Sequence, residues 1–248
     1  MSVQLRLFET ANISSAWHVR ISRRARRLSV RVYPGGRVEV VVPPGASAIA
    51  VQRFVGTHRA WIDRRVADLS AAHGPLSQLR PTSIVLSAIN RRFLVDYEAG
   101  SATREAGQVA VRLAGEGCLL VSGTSEDGRA TPRALQRWLH ELAQTELSRE
   151  LSLLAEEHGF NFHRVQIRRQ RTRWGSCSVA GTISLNVCLL FQDPTVLRYL
   201  LIHELSHTRH MNHSPRFWSL VQSLQPDYRR LDRELLRGWQ RVPGWVFS

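Results

Sequence analysis

The feature that most restricts how this chain can fold is a polar motif at the end of an apolar helix. His203-Glu204-Leu205-Ser206-His207 follows Val196, Leu197, Leu200, Leu201 and Ile202, and Asp193-Pro194 supplies a cap and a first-turn proline ahead of them. The spacing predicts a helix from Asp193-Pro194 to about Arg209, with its apolar residues buried and its last turns carrying two imidazoles. Residues four apart share a helix face, about 5–6 Å from each other. His203 and His207 can therefore grip one zinc ion, and Glu204, beside the first of them, can reach a metal-bound water as general base.

A zinc site open to chemistry takes three protein ligands, and two histidines follow closely. His210 lies on the face of His203 but, in a continuing helix, about 10 Å further along the axis. His213 immediately precedes Ser214-Pro215, a second cap-and-proline signal, so the chain must turn near Met211-Asn212. That turn can carry His213 back over the ion. The expected ligands are His203, His207 and His213, holding one Zn2+ per chain. The H-E-x-x-H-x-x-x-x-x-H spacing is that of metzincins, but His210 stands where they keep glycine. Met1 and Met211 are the only methionines, so no Met-turn follows. A second His-Glu pair, His140-Glu141, has Gln144 where the second histidine belongs and reads as plain helix.

The order of elements reads as α+β. Leu28, Val30 and Val32 alternate with polar residues, Pro34-Gly35-Gly36 makes a turn, and Val38 to Val42 resumes the strand. From Ser47 to about Leu69, Ile49, Val51, Phe54, Val55, Trp61, Ile62, Val66 and Leu69 suit a helix face. Strand-like stretches follow at 84–97 and 109–121. Gly123 to Gly128 is polar and glycine-containing, which places a boundary between a β-rich region with one helix (1–128) and a second domain (129–248). Thr131-Pro132 is expected to cap a helix that ends near His158-Gly159. Strands are expected at 164–169 and 182–186, and helices from Ser214-Pro215 and over 227–237.

Composition bounds the partners. The 34 basic residues are all arginine, the net charge is +14, and without lysine there is no Schiff base, Ser-Lys dyad or P-loop lysine. The arginines cluster at Arg20, Arg23, Arg24, Arg26, Arg27 and Arg31, and again at Arg164, Arg168, Arg169, Arg171 and Arg173. Either cluster could face a nucleic acid or another polyanion, or simply be solvated strand surface. Three cysteines make no disulfide framework. No apolar run suits a membrane helix and no secretory leader is legible, so a cytoplasmic protein is expected.

The run from Arg171 through Trp174-Gly175-Ser176-Cys177 to Ser178, then Ile183-Ser184-Leu185-Asn186, the His203–His207 motif and Asn212 to Trp218 together resemble the YgjP-like metallopeptidase family. These are relatives of the SprT-like zinc proteases with a minimal zincin fold. Arg23 to Val42 and His58 to Ile62 extend the resemblance over most of the chain. It implies a β-rich N-terminal half followed by a zincin-like metallopeptidase domain. It implies zinc on His203, His207 and His213, Glu204 as acid/base, and a protein or peptide substrate cleaved by Glu204-assisted attack of zinc-bound water. The strand of Ile183 to Asn186 would be the edge beside the active-site helix, although an ordinary buried strand accounts equally for Ile183 and Leu185. Arg173, His210 and Tyr228 are candidate oxyanion stabilisers. Trp174, Phe217 and Trp218 read as core packing, and Cys177 as a small buried residue rather than a ligand. Two other readings remain: a nucleic-acid-associated module on a zincin scaffold, as in some SprT-like relatives, and a metal-dependent hydrolase of a phosphoanhydride held by arginines.

Overall fold

The computed structural model describes residues 17–32, 38–72, 79–98, 109–123 and 128–248, and the chain forms two compact units, Met1–Gly74 and Pro75–Ser248.

In the first unit β3 (Val38–Val42) lies between β1 (Trp17–Ile21), to which it runs parallel, and β2 (Ser29–Val32), to which it is antiparallel. A β-branched run suits a strand with neighbours on both sides, and every residue of β3 is buried. The expected Pro34-Gly35-Gly36 turn lies outside the described residues. Helix α1 (Ala48–Ala72) starts beside Ser47, whose hydroxyl accepts from the Ala50 N–H at 3.2 Å. Val51 and Val55 pack on Val40 and Val42. Two residues assigned to this face are instead exposed, Ile49 at 69% and Trp61 at 50%. At about 100° per residue, Ile49 is turned some 200° from Val51, and Trp61 about 100° from buried Ile62.

Buried Glu39 explains part of the first arginine cluster. Arg20 on β1 reaches its Oε1 at 3.1 Å and Arg31 on β2 its Oε2 at 3.9 Å. Arg23, Arg24, Arg26 and Arg27 are exposed.

The second unit opens with a four-stranded sheet: β4 (Ser83–Leu86), β5 (Arg91–Glu98), β6 (Ala110–Leu113) and β7 (Cys118–Ser122), in the order β4-β5-β7-β6. Helix α2 (Ala130–Glu157) packs against it: Trp138 meets Phe93 edge-on at 5.1 Å, and Arg137 donates to the Val109 carbonyl at 3.0 Å. The boundary expected between 128 and 129 therefore falls inside the second unit, because α2 shares its core with the sheet before it. The Thr131 cap is also displaced. The helix begins at Ala130, with Arg129 at the cap position and no side-chain bond there. Pro132 still lies in the first turn, where backbone N–H groups lack helical partners and a proline costs little. The other end is as expected: His158 caps the helix and Gly159 takes φ +64°, a left-handed conformation suited to glycine.

A second small sheet follows, made of β8 (Arg164–Arg168), β9 (Gly175–Cys177) and β10 (Thr182–Asn186) in the order β8-β10-β9. Here the structure corrects an expectation. β10, the strand of Ile183 to Asn186, is central and not an edge, which is why Ile183 and Leu185 are fully buried. β9 is an edge. Then come α3 (Pro194–Ser206), α4 (Pro215–Leu224), α5 (Tyr228–Arg237) and two short 3-10 turns at 238–241 and 244–247. The architecture is α+β, and within the second unit α2 and α3 contact the small sheet.

Asn186, at the end of β10, organises the segment that leads into β9. Its buried amide donates to the carbonyls of Gln170 (2.7 Å) and Arg173 (2.6 Å), and its oxygen accepts from the Cys188 N–H at 3.1 Å. Trp174 stacks on Trp239 at 4.0 Å. Two arginines of the second cluster serve the same packing: Arg169 and Arg171 donate to the carbonyls of Val246 and Phe247. No helix among the described residues is long and apolar enough to cross a membrane.

Candidate metal centre

Helix α3 is fixed at its start by Asp193, whose Oδ1 accepts from the Thr195 N–H at 2.9 Å and from the Thr195 hydroxyl at 2.7 Å. Those bonds hold the Asp193 carboxyl below its ordinary range. Val196, Leu197, Leu200, Leu201, Ile202 and Leu205 are buried. The helix stops at Ser206, short of Arg209, and His207 becomes its C-cap. The Ser206 hydroxyl turns back to the Ile202 carbonyl at 2.7 Å, and the next N–H groups close tight turns onto Leu205 and Ser206. Ser214 then caps α4 by accepting from the Phe217 N–H, with Pro215 in the first turn.

Between those two caps the chain returns over α3, and His203, His207 and His213 come together with one nitrogen of each within 4.8 Å of the others. His213 Nε2 lies 3.2 Å from His203 Nε2. Two nitrogens bound tetrahedrally to one zinc at 2.0–2.1 Å stand about 3.3–3.4 Å apart, so this pair already has ligand spacing. His207 Nδ1 is 3.1 Å from the His210 carbonyl. A carbonyl only accepts, so Nδ1 carries the proton and Nε2 keeps its lone pair for a metal. His210 thus serves the cluster through its main chain while its imidazole stays outside. The donor set, three imidazoles with free nitrogens, fits a zinc ion.

Aromatic rings back the cluster. Buried Phe217 stacks on His207 at 4.5 Å and meets His203 and His213 edge-on at 5.0 and 4.9 Å. Half-buried Trp218 stacks on His213 at 5.4 Å, and Tyr228 stacks on Trp218 at 5.2 Å. Burial, then the neighbouring imidazoles, push His203 down to about 3. Burial also lowers His207. Both rings are therefore neutral near pH 7, the form that binds metal.

Glu204 follows His203 on α3, and its side chain lies against β9. It is buried, burial raises its carboxyl to about 8, and its Oε2 has no hydrogen-bond partner among the described residues. Its other oxygen lies against β9. A Cβ on Gly175 would stand 2.5 Å from Oε1 and 2.9 Å from Cγ and Cδ. Gly175 is thus required beside Glu204, a role that a three-residue strand with no periodicity does not announce. Cys177, two residues on, is pushed up to about 11 by burial and by the Glu204 charge, and it is not part of the histidine group.

The side chains of the three oxyanion candidates make no hydrogen bond to the triad or to Glu204 among the described residues. Arg173 is exposed, His210 contributes its carbonyl, and the Tyr228 hydroxyl accepts from Arg229 at 3.0 Å. Sequence reasoning passed over Tyr199, which meets His203 edge-on at 6.0 Å and donates to Asp232 of α5 at 2.9 Å.

These shifts set a pH profile for the metal-free protein. His203 takes a proton below about 6.5 when unfolded but only near 3 when folded, so its contribution to stability falls as the pH drops through that window. Glu204 keeps its proton up to about 8 when folded and loses it near 4.5 when unfolded, so its contribution falls as the pH rises. Between pH 4.5 and 6.5 the two slopes oppose, and His207 tilts the balance upward. Urea unfolding in chelator should show maximal stability near pH 6 and a decline on the order of 1–2 kcal/mol toward pH 8. Glu204→Gln should remove the alkaline decline; an unchanged decline would show that Glu204 is not its source.

Comparison with known families gives one match over most of the chain: YgjP-like, metallopeptidase domain, over residues 26–237. No curated protein matches. Among solved structures, the metallopeptidase zymogen of Pyrococcus abyssi abylysin is 25% identical, covering 39% of this chain and 98% of that one, with a TM-score of 0.35.

Proposed function

The chain belongs to the YgjP-like metallopeptidase family, and from that premise we propose that it is a zinc-dependent peptidase acting on protein or peptide substrates. His203, His207 and His213 hold the ion, which when bound makes water more acidic and polarises a carbonyl. Glu204 takes a proton from the attacking water and returns it to the leaving amine. Its Oε2 is buried and has no hydrogen-bond partner among the described residues, so no protein group competes for the carboxylate in that exchange. Phe217 and Trp218 keep the imidazoles in place. The outer edge of β9 offers backbone N–H and C=O groups to which an extended substrate adds as a further strand beside Glu204. The three cysteines are free, which supports a reducing, cytoplasmic setting.

The observation that carries this reading is the 3.2 Å approach of His203 and His213 within a three-histidine cluster next to buried Glu204. Protein purified without a histidine tag should contain about one zinc per chain. It should hydrolyse casein, lose that activity to 1,10-phenanthroline and recover it with added zinc. Hydrolysis that persists in metal-stripped protein would overturn the proposal.

Gly175→Ala tests the wall of the site. The added methyl must displace the Glu204 carboxylate, and a shift near 1 Å in a catalytic group costs on the order of 100-fold in rate. The expected outcome is such a fall in kcat/KM with zinc content unchanged. Full activity would show that Glu204 is free to move.

A further inference from the structure

Two clefts of the second unit are bordered by arginines, and they differ in how that charge is matched. In one, of about 430 Å3, Arg91, Arg149 and Arg198 line the walls with Glu146 and Glu150. Arg91 and Arg149 pair with Glu146, Arg149 also with Glu150, and Arg198 with Glu157. That cleft neutralises itself.

The other, of about 530 Å3, lies between the first half of α2 and the C-terminal turn. Arg133, Arg137 and His140 project from successive turns of α2, and Arg169 enters from the end of β8, with Glu141 the one acid in the lining among the described residues. Arg137 and Arg169 form no ion pair among the described residues. Each is anchored through a single N–H to a carbonyl, Arg137 to Val109 at 3.0 Å and Arg169 to Val246 at 3.4 Å. A guanidinium has five N–H groups, so both present further donors with their geometry already restrained. The floor is apolar: Leu139, Val187 and Val246 are buried.

We propose that this cleft is a binding site for a small dianion, a phosphate monoester or a dicarboxylate, carried on an apolar or planar body. Restrained guanidinium forks match both oxyanions. Positive charge beside a low-dielectric floor concentrates such ligands, the apolar lining takes the rest of the molecule, and the volume is in the range of small-molecule sites. The metal centre takes no part, so binding is read without hydrolysis and stands or falls apart from the peptidase reading.

The test is calorimetric titration at low salt with phenyl phosphate, isophthalate and inorganic phosphate. Saturable binding of one phenyl phosphate or isophthalate per chain is expected, and the tighter of the two identifies the oxyanion. Inorganic phosphate, lacking the body, should bind more weakly. Arg137→Gln and Arg169→Gln remove the charge while keeping a polar side chain, and each should weaken binding at least about tenfold. Arg149→Gln, in the neutralised cleft, should leave it unchanged. His203→Ala/His207→Ala protein should bind as the parent does. No saturable binding, insensitivity to both cleft variants, or an equal loss in Arg149→Gln overturns the proposal. If a glutamine variant fails to fold, a crystal soak of the parent decides: phenyl phosphate against Arg137 and Arg169 supports the site, and its absence there overturns it.

Discussion

Glu204→Gln is expected to keep its zinc and to lose between about 100- and 10,000-fold in kcat/KM toward a peptide, the range that a positioned general acid/base supplies. The substitution is nearly isosteric, so the packing against Gly175 is preserved. No ligand is removed. What disappears is a carboxylate able to take a proton from water and hand it to the departing amine. The variant should also be at least as stable as the parent above pH 6.5 without metal, because Oε2 is buried with no partner among the described residues and its ionisation opposes folding. A group that weakens the fold while its loss removes activity is there for chemistry. Metal analysis, steady-state rates and urea unfolding on the same preparation check all three expectations, and turnover at the parental rate would remove Glu204 from the mechanism.

The second large effect is expected at His213. His213→Ala should lower zinc affinity by more than the 10- to 100-fold that loss of an outer-shell partner costs, leave little zinc after dialysis, and abolish hydrolysis. His213 is exposed, so the fold should survive: Ser214 still caps α4, and Phe217 is still buried behind His207. His210→Ala is the paired control. Its imidazole lies outside the cluster and its carbonyl, the acceptor for His207 Nδ1, remains in alanine. That variant should retain about one zinc per chain. If His210→Ala lost the metal and His213→Ala kept it, the ligand assignment would be reversed.

Much of the second unit was legible because its signals are local. A capping Asp193 before Pro194 starts α3 wherever the helix comes to lie, and Ser214 before Pro215 does the same for α4. The i, i+4 spacing then puts His203 and His207 on one face through backbone geometry alone. Two caps separated by a short turn leave His213 few places to go. The misplacements are equally physical. Thr131 looks like a cap, but a helix of 28 residues packed along a sheet is held by its buried stripe, and one residue at its start does not decide where it begins. Ile49 and Trp61 are apolar yet exposed, since composition marks a helix and the phase of its turn marks the face.

The sequence by itself determined the helix carrying two imidazoles and a carboxylate, the bend that returns a third imidazole, and the α+β order, because caps, spacing and apolar periodicity act within a few residues. Only the tertiary structure decided that β10 is central and β9 an edge, that Gly175 walls Glu204, and that Trp174 stacks on Trp239. It alone set Arg137 and Arg169, which form no ion pair among the described residues, around one cleft. Those arrangements join segments tens of residues apart, and strand order, ring stacking and charge pairing depend on which surfaces meet, which no local pattern encodes.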